Sequence, residues 1–289
     1  MTKLPLWIRR FPIRVVVVLR IITLELRSFS RSRFKWNPDS IPVSIATYGR
    51  REKWIHLTIE SIYRGSVNPS AIFVWLDKPS GRALPNSLRR LAKQGVRLSY
   101  LDSSHRSHKK WVGPAQFLDQ EFSRGVVLAD DDFIYPRNWL GQLLASAQKS
   151  SSFIHAWRCK AIRVVDDEVQ PYEEWGLGRF SSEPSFLNFA TTGAGTYVPF
   201  ELLRLLKPEV EEQKHILSAP TADDIWLHSR ATALGFRTVC ISPDYLDWPQ
   251  NPLQGVSGLA DANVGRGGNN LAISSTYTID QVKKLAAEG

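Results

Sequence analysis

Residues 125–136 read GVVLADDDFIYP, and the fold follows from how this stretch is read. Val126, Val127 and Leu128 form a short apolar run, the signature of a strand buried on both faces. Asp130, Asp131 and Asp132 follow at once, and Pro136 predicts the start of a helix. Three carboxylates at the end of a buried strand repel one another and lose hydration, so something positive must sit beside them. A divalent cation is the simplest such group. Aspartate oxygens are hard donors suited to Mn²⁺ or Mg²⁺, ions that share their coordination sphere with a diphosphate. The competing reading is a polar strand-to-helix loop in which Asp132 only caps the next helix.

Working outward from the triplet, strands and helices alternate. IPVSIAT (41–47), AIFVWLD (71–77) and VRLSYL (96–101) read as strands. Between and after them, Glu52 to Tyr63 reads as an amphipathic helix, and Pro85 to Gln94 and Trp111 to Phe122 as further helices. Strands separated by helices indicate βαβ units and a mostly parallel α/β sheet covered on both faces. In such sheets ligands bind at the carboxyl ends of the strands, which here carry Thr47, Tyr48, Asp77, Asp102 and Asp130 to Asp132. Downstream, a helix is expected to about Lys149, then strands at 152–157 and 161–167, and an irregular segment at 168–190. TTGAGTYVPF (191–200) places two glycines before a strand and a helix that starts at Pro199. TADDIWLHSRATALG (221–235) reads as a helix with a glycine stop, and FRTVCIS (236–242) as the last strand. Residues 243–270 read as a glycine-rich lid, and Ile279 to Ala287 as a helix capped by Thr278.

Net charge is +9 over 289 residues, but its distribution matters more than its size. Lys3, Arg9, Arg10, Arg14, Arg20, Arg27, Arg31, Arg33 and Lys35 face a single acid, Glu25, so residues 1–36 hold +8 of the total. A nucleic-acid-binding domain spreads basic groups over its working surface; here the charge is a local tail, and no nucleic-acid partner is expected. RVVVVLRIITLELR (14–27) is too short and too charged to span a bilayer, and no small-residue cleavage site follows it. On a helix, Arg20, Thr23 and Arg27 fall on one side, with Val15, Val18, Leu19, Ile22 and Leu26 on the other. That pattern fits a basic amphipathic helix on an anionic membrane surface. It fits equally a helix docked on its own domain with the arginines in solvent. Two distant cysteines, Cys159 and Cys240, suit no metal-ligand spacing and no disulfide scaffold, which points to a reducing, cytoplasmic setting; the basic tail, if it binds membrane, would place the protein on the inner face. Ten Trp residues are compatible with core filling and with sugar or base stacking.

Taken together, IATYGRRE, LADDDFIYP, GAGTYVPF and TADDIWL resemble the ordered motifs of the GT-A glycosyltransferases, the nucleotide-sugar-dependent class. The look is that of bacterial transferases building surface polysaccharides, and it covers residues 41–242. The resemblance implies a nucleotide-sugar donor, a UDP-sugar first, and a glycan or lipid-linked acceptor. It implies Thr47 and Tyr48 at the base and ribose, Arg51 at the diphosphate, Asp77 at the uracil N3 proton and Lys110 at ribose or phosphate. Asp130 would contact ribose or the metal, Asp132 would ligate the metal, and Asp131 would line the donor site. Asp224, beside Asp223, would be the general base of an inverting displacement. Thr221 and Asp224 also have the spacing of a capping box, and Arg51 and Lys110 could equally be solvated basic residues. No histidine follows His228, so a further metal ligand would come from Asp244, Asp247, Asp261, an asparagine or water. The implied layout is a basic segment at 1–36, a catalytic domain at 37–250 and a closing loop and helix at 251–289.

Two other functions share these features. A sugar-phosphate nucleotidyltransferase also uses an α/β fold and metal-binding aspartates, but opens with a glycine-rich basic loop that TYGRRE matches poorly. A non-catalytic protein could use the aspartates for a structural ion and the basic tail for membrane binding.

Overall fold

The computed structural model describes residues 6–30, 33–78, 81, 83–117, 122–251 and 267–289, with side chains of the first helix from residue 17 onward. Its centre is a seven-stranded sheet, ordered along the sheet as Thr238–Cys240, Ile154–Ala156, Thr196–Val198, Val126–Ala129, Val43–Ala46, Ile72–Asp77 and Arg97–Leu101. In chain order these strands are β1 (Val43–Ala46), β2 (Ile72–Asp77), β3 (Arg97–Leu101), β4 (Val126–Ala129), β5 (Ile154–Ala156), β11 (Thr196–Val198) and β12 (Thr238–Cys240). Only β11 is reversed, antiparallel to both β4 and β5; the other pairings are parallel. The Val126 to Ala129 run is fully buried, as its apolar composition requires of a central strand. Two consequences position the site. The order changes direction between β1 and β4, opening a crevice beyond their carboxyl ends. The reversal of β11 brings the turn before it, Thr192–Ala194, to that same edge.

Helices cover both faces: α1 (Leu6–Ser28), α2 (Ile55–Tyr63), α3 (Asn86–Gln94), α4 (Lys109–Gln116), α5 (Trp139–Ala147), α6 (Phe200–Glu211), α7 (Lys214–Ser218) and α8 (Asp223–Leu234). The carboxyl-terminal α9 (Gly268–Thr276) and α10 (Ile279–Ala286) pack on α8, and Ala272, Ile273 and Leu285 join the same core as Trp226. Thr278 caps α10 in a full capping box with Gln281, as its sequence suggested. The remaining strands are short: β6 (Cys159–Ala161), β7 (Val164–Val165), β8 (Glu168–Val169), β9 (Gly176–Leu177) and β10 (Asn188–Ala190).

Several elements depart from the sequence reading for identifiable reasons. The helix expected from Glu52 divides into a 3₁₀ turn, Gly49–Lys53, and α2. Moreover, α2 is not amphipathic in place: even His56 and Glu60 are buried, because α1 lies across its polar face and Glu25 meets His56 at 2.5 Å. Helix α5 starts at Trp139 rather than Pro136, and Pro136 to Trp139 forms a turn closed by the Trp139 N–H to the Pro136 carbonyl at 3.1 Å. Helix α4 runs from Lys109 to Gln116, earlier than Trp111 to Phe122. The 161–167 strand breaks at Asp166 and Asp167, whose φ values of 50° and 58° form the tight hairpin turn joining β7 to β8. Residues 168–190, expected to be irregular, contain β8, β9 and β10, and α9 begins inside the expected lid. Residues 252–266 of that lid lie outside the described residues.

The tryptophan excess is chiefly core: Trp75, Trp111, Trp139 and Trp226 are among the largest fully buried side chains. Cys159 and Cys240, far apart in sequence, are both free and buried in one small cluster with Ala156 and Ala190.

Candidate active site

At the carboxyl edge of β4 the three aspartates point to different partners. Asp131 turns inward and is 2 % exposed. Its carboxylate accepts hydrogen bonds from Thr47 at 2.6 Å and Arg51 at 2.7 Å, while Thr58 donates to its carbonyl at 2.7 Å. Burial pushes its pKa up to about 7, with the Arg51 charge opposing. Asp131 is therefore an internal anchor that ties β4 to β1 and α2, and its side chain does not line an open donor site as the sequence reading had it. Asp132 takes the other arm of the same guanidinium at 2.8 Å. Its second oxygen, Oδ1, is buried with no hydrogen-bond partner among the described residues. Asp130 is the open one, its side chain 38 % exposed.

The positive group that the triplet demands is supplied in part by the chain itself. Lys110, at the start of α4, reaches Asp130 at 2.7 Å and Asp223 at 2.9 Å while almost wholly buried. Burial works against its charge, but Asp130, Asp223 and Asp224 together override it and hold the ammonium well above its ordinary pKa. Lys109, fully buried, pairs instead with Asp77 at the end of β2. The sequence reading singled out Lys110 and gave Lys109 no site role; which of two adjacent lysines faces which carboxylate is set by the helix phase of α4.

Asp223 and Asp224 open α8. The capping box expected of Thr221 and Asp224 is not formed: the cap residue is Ala222, and no side chain caps it. Asp224 instead accepts from the Thr192 hydroxyl, and from the Thr192 N–H at 3.3 Å. The two carboxylates are driven apart in pKa. Burial opposes ionisation of Asp223, yet the Lys110 charge at 2.9 Å holds it below its ordinary value. Asp224, desolvated and beside the charged Asp223, is pushed up to about 7. Paired acids split in this way are the arrangement in which one stays charged and the other exchanges a proton near neutrality.

A second layer holds these groups. The Tyr135 hydroxyl donates to the Gly193 carbonyl at 2.6 Å and accepts from the Asp130 N–H at 2.9 Å. Both Trp139 and Trp248 donate ring N–H groups to the Ala194 carbonyl, at 2.9 and 2.8 Å. A Cβ on Gly193 would overlap the Asp130 carboxylate, so a side chain there would displace that group. From the far end of the chain, Asn251 N–H donates to the Asp132 carbonyl at 2.6 Å and Ile134 N–H to Pro249, clasping the triplet. Under the site, His108 is kept neutral by burial, its pKa pushed down to about 4, and its Nε2 bonds the Ala219 carbonyl at 2.7 Å just before α8. Sequence reasoning missed Thr192, because hydroxyl residues in glycine turns are too common to signal a role.

The remaining expected site residues are placed as follows. Thr47 is buried, its hydroxyl committed to Asp131, whereas the Tyr48 ring stands 38 % exposed at the crevice mouth. Asp247 pairs with Arg158 at 2.6 Å, and His228 is buried between Tyr277 and the Phe186 carbonyl. Asp261 lies outside the described residues. Among the described residues no group of three or more His, Cys, Asp or Glu side chains converges as a metal site. The donor set still fits a divalent cation held by two carboxylates, Asp130 and Asp132. Carboxylate oxygens are the right donors, and Asp132 Oδ1 is an orphaned buried acceptor for which Arg51 provides no bond.

The chain, with its seven-stranded and mostly parallel sheet flanked by helices, matches several solved structures at low identity. Staphylococcus aureus TarS 1-349, solved in complex with UDP, matches at 16 % identity and TM-score 0.49 over 86 % of this chain and 70 % of that one. The mannosyltransferase PcManGT from Pyrobaculum calidifontis, solved with GDP-Man and Mn²⁺, matches at 13 % identity and TM-score 0.46 over 94 % and 81 %. The chain spans 59 % of TarS 1-349 in another solved structure and 42 % of the TarS structure not limited to those residues. A 4-diphosphocytidyl-2C-methyl-D-erythritol synthase also matches, at 10 % identity and TM-score 0.42 over 78 % and 97 %. No protein-family profile and no curated protein matches the sequence.

Proposed function

We propose that this protein is a glycosyltransferase that moves a sugar from a nucleotide-diphosphate sugar, a UDP-sugar first, to a hydroxyl of a glycan or lipid-linked acceptor, with inversion. The observation that carries the reading is the split pair at the start of α8, with Asp223 held charged by Lys110 and Asp224 raised to about 7. Asp224 accepts the proton of the acceptor hydroxyl as its oxygen bonds to the anomeric carbon. The bond from that carbon to the diphosphate breaks in the same displacement, and nucleoside diphosphate leaves. Thr192 holds the Asp224 carboxylate in place, and Lys110 keeps Asp223 ionised so that Asp224 stays basic.

On the donor side, Tyr48 offers an open ring for the base, with Asp77, Arg51 and Lys110 around the crevice. Thr47 and Asp131 act from beneath by fixing Arg51. Asp130 and Asp132 would hold Mn²⁺ or Mg²⁺, which when bound supplies positive charge to the departing diphosphate. The test is Asp224→Asn, which keeps shape and hydrogen bonding but cannot take a proton. Transfer is lost while nucleotide-sugar binding persists. Near-normal turnover in this variant, or pyrophosphate in place of nucleoside diphosphate among the products, refutes the assignment.

A further inference from the structure

We propose that the outward face of α1 seats on an anionic lipid bilayer and holds the edge of the domain beside the acidic triplet against that surface. Among the described residues, the contacts that fix α1 to the domain lie on one side of the helix. Val17, Ile21 and Leu24 pack on Leu57 of α2 and on Ile134, two residues beyond Asp132. Arg20 donates to the Tyr135 carbonyl, and Glu25 pairs with His56 at 2.5 Å.

The apolar stripe seen in the sequence is not the side that docks. Val18, Leu19, Ile22, Leu26 and Phe29 are 52 %, 58 %, 50 %, 70 % and 58 % exposed, an unbroken apolar arc of about 100° on the helix surface. α1 docks on its domain and still presents its apolar stripe outward, and Arg20, expected on the solvent side, turns instead to the Tyr135 carbonyl. A helix that contributed only to the domain core would have been rotated to bury this stripe.

Charge selects the occupant. Arg27 and Thr23 flank the stripe on its exposed side, and Arg90 of α3 stands over the Phe29 ring at 4.5 Å. Glu25, the sole acid among residues 1–36, is turned inward to His56, so α1 sets no acidic side chain among the exposed residues of this face. A second copy of the chain would bring +8 against +8 over the same segment, whereas an anionic headgroup layer complements it. No helix among the described residues is long and apolar enough to cross a membrane, so α1 lies in the interface plane. Because the same helix rests on Ile134 and Tyr135, docking sets the crevice next to the bilayer, where a lipid-linked acceptor would present its hydroxyl. That last step rests on the proposed function.

The experiment is sedimentation of the full chain with vesicles of phosphatidylcholine alone and with about a third phosphatidylglycerol. The comparison protein is Leu19→Glu/Ile22→Glu/Leu26→Glu, whose three sites are exposed and outside the core. Wild type binds the anionic vesicles, more weakly as salt rises, and the triple variant loses roughly 100-fold in partition at an unchanged melting temperature. Equal binding by both proteins, binding indifferent to phosphatidylglycerol, or no binding by wild type overturns the proposal. So does a wild-type dimer in light scattering that the variant abolishes, which would assign the stripe to a second copy. Donor turnover in vesicle-free solution, followed in parallel, separates failure of docking from failure of the glycosyltransferase reading.

Discussion

Replacing Lys110 by methionine tests the electrostatic core of the site without reference to any substrate. The ammonium reaches Asp130 at 2.7 Å and Asp223 at 2.9 Å. The Asp130 side chain is 38 % exposed, so solvent screens that pair and it contributes little, at most about 1 kcal/mol. The Asp223 side chain is only 10 % exposed, and Lys110→Met leaves it charged, buried and without its cation. Breaking a buried pair in this way costs roughly 3–5 kcal/mol at neutral pH, which lowers the melting temperature by about 10 °C. The pH dependence carries the diagnosis. With Lys110 present, the folded-state pKa of Asp223 lies below its ordinary value, so the stabilisation is present above that ordinary value and is lost as pH falls through the folded one. In the variant Asp223 takes up a proton as pH falls, relieving the buried charge, so the gap to wild type closes toward pH about 4. Urea denaturation at neutral pH and near pH 4 measures both quantities. A gap below about 1 kcal/mol at neutral pH, or one that is the same at both pH values, refutes the assignment of Lys110 as the counter-charge.

Three further outcomes are expected. Asp224 serves as base only when ionised, so turnover rises with pH through about 7 and then levels; a flat profile between pH 6 and 8, roughly, contradicts the role. Gly193→Ala forces the Asp130 carboxylate off Lys110, and loss of that solvent-screened pair, worth at most about 1 kcal/mol, predicts a drop of up to roughly 5-fold in turnover with a small change in stability. Unaltered kinetics would show that Asp130 need not hold that position. Finally, donor raises the melting temperature in Mn²⁺, and chelator or Asp132→Asn removes that rise; persistence of the shift in either case excludes Asp132 as a metal-site residue.

Much of the fold was legible because its signals are local. Apolar runs such as Val126 to Ala129 state their own burial, and the alternation of strands with helices leaves few topologies. The crevice at the ends of β1 and β4 follows from that alternation, and with it the grouping of Tyr48, Arg51 and Asp130. The failures are equally physical. Helix α2 carries an amphipathic sequence yet is buried all round, because α1, a separate helix whose Glu25 lies 31 residues before His56, covers its polar face. Pro136 had the look of a helix start, but Pro136 to Trp139 closes a turn first and α5 begins only at Trp139.

Sequence alone determined that carboxylates gather at one strand end, that a second acidic pair opens a later helix, and that the first 36 residues are basic and amphipathic. These are properties of residue type and spacing. Tertiary structure alone decided how the charges are shared. It turned Asp131 inward, left Asp130 open, joined the two acidic groups through one buried lysine, and split Asp223 from Asp224 in pKa. It also chose which side of α1 meets the domain and which meets the surroundings. Burial and the distance between charges are set by chain segments a hundred residues apart, and no local pattern encodes them.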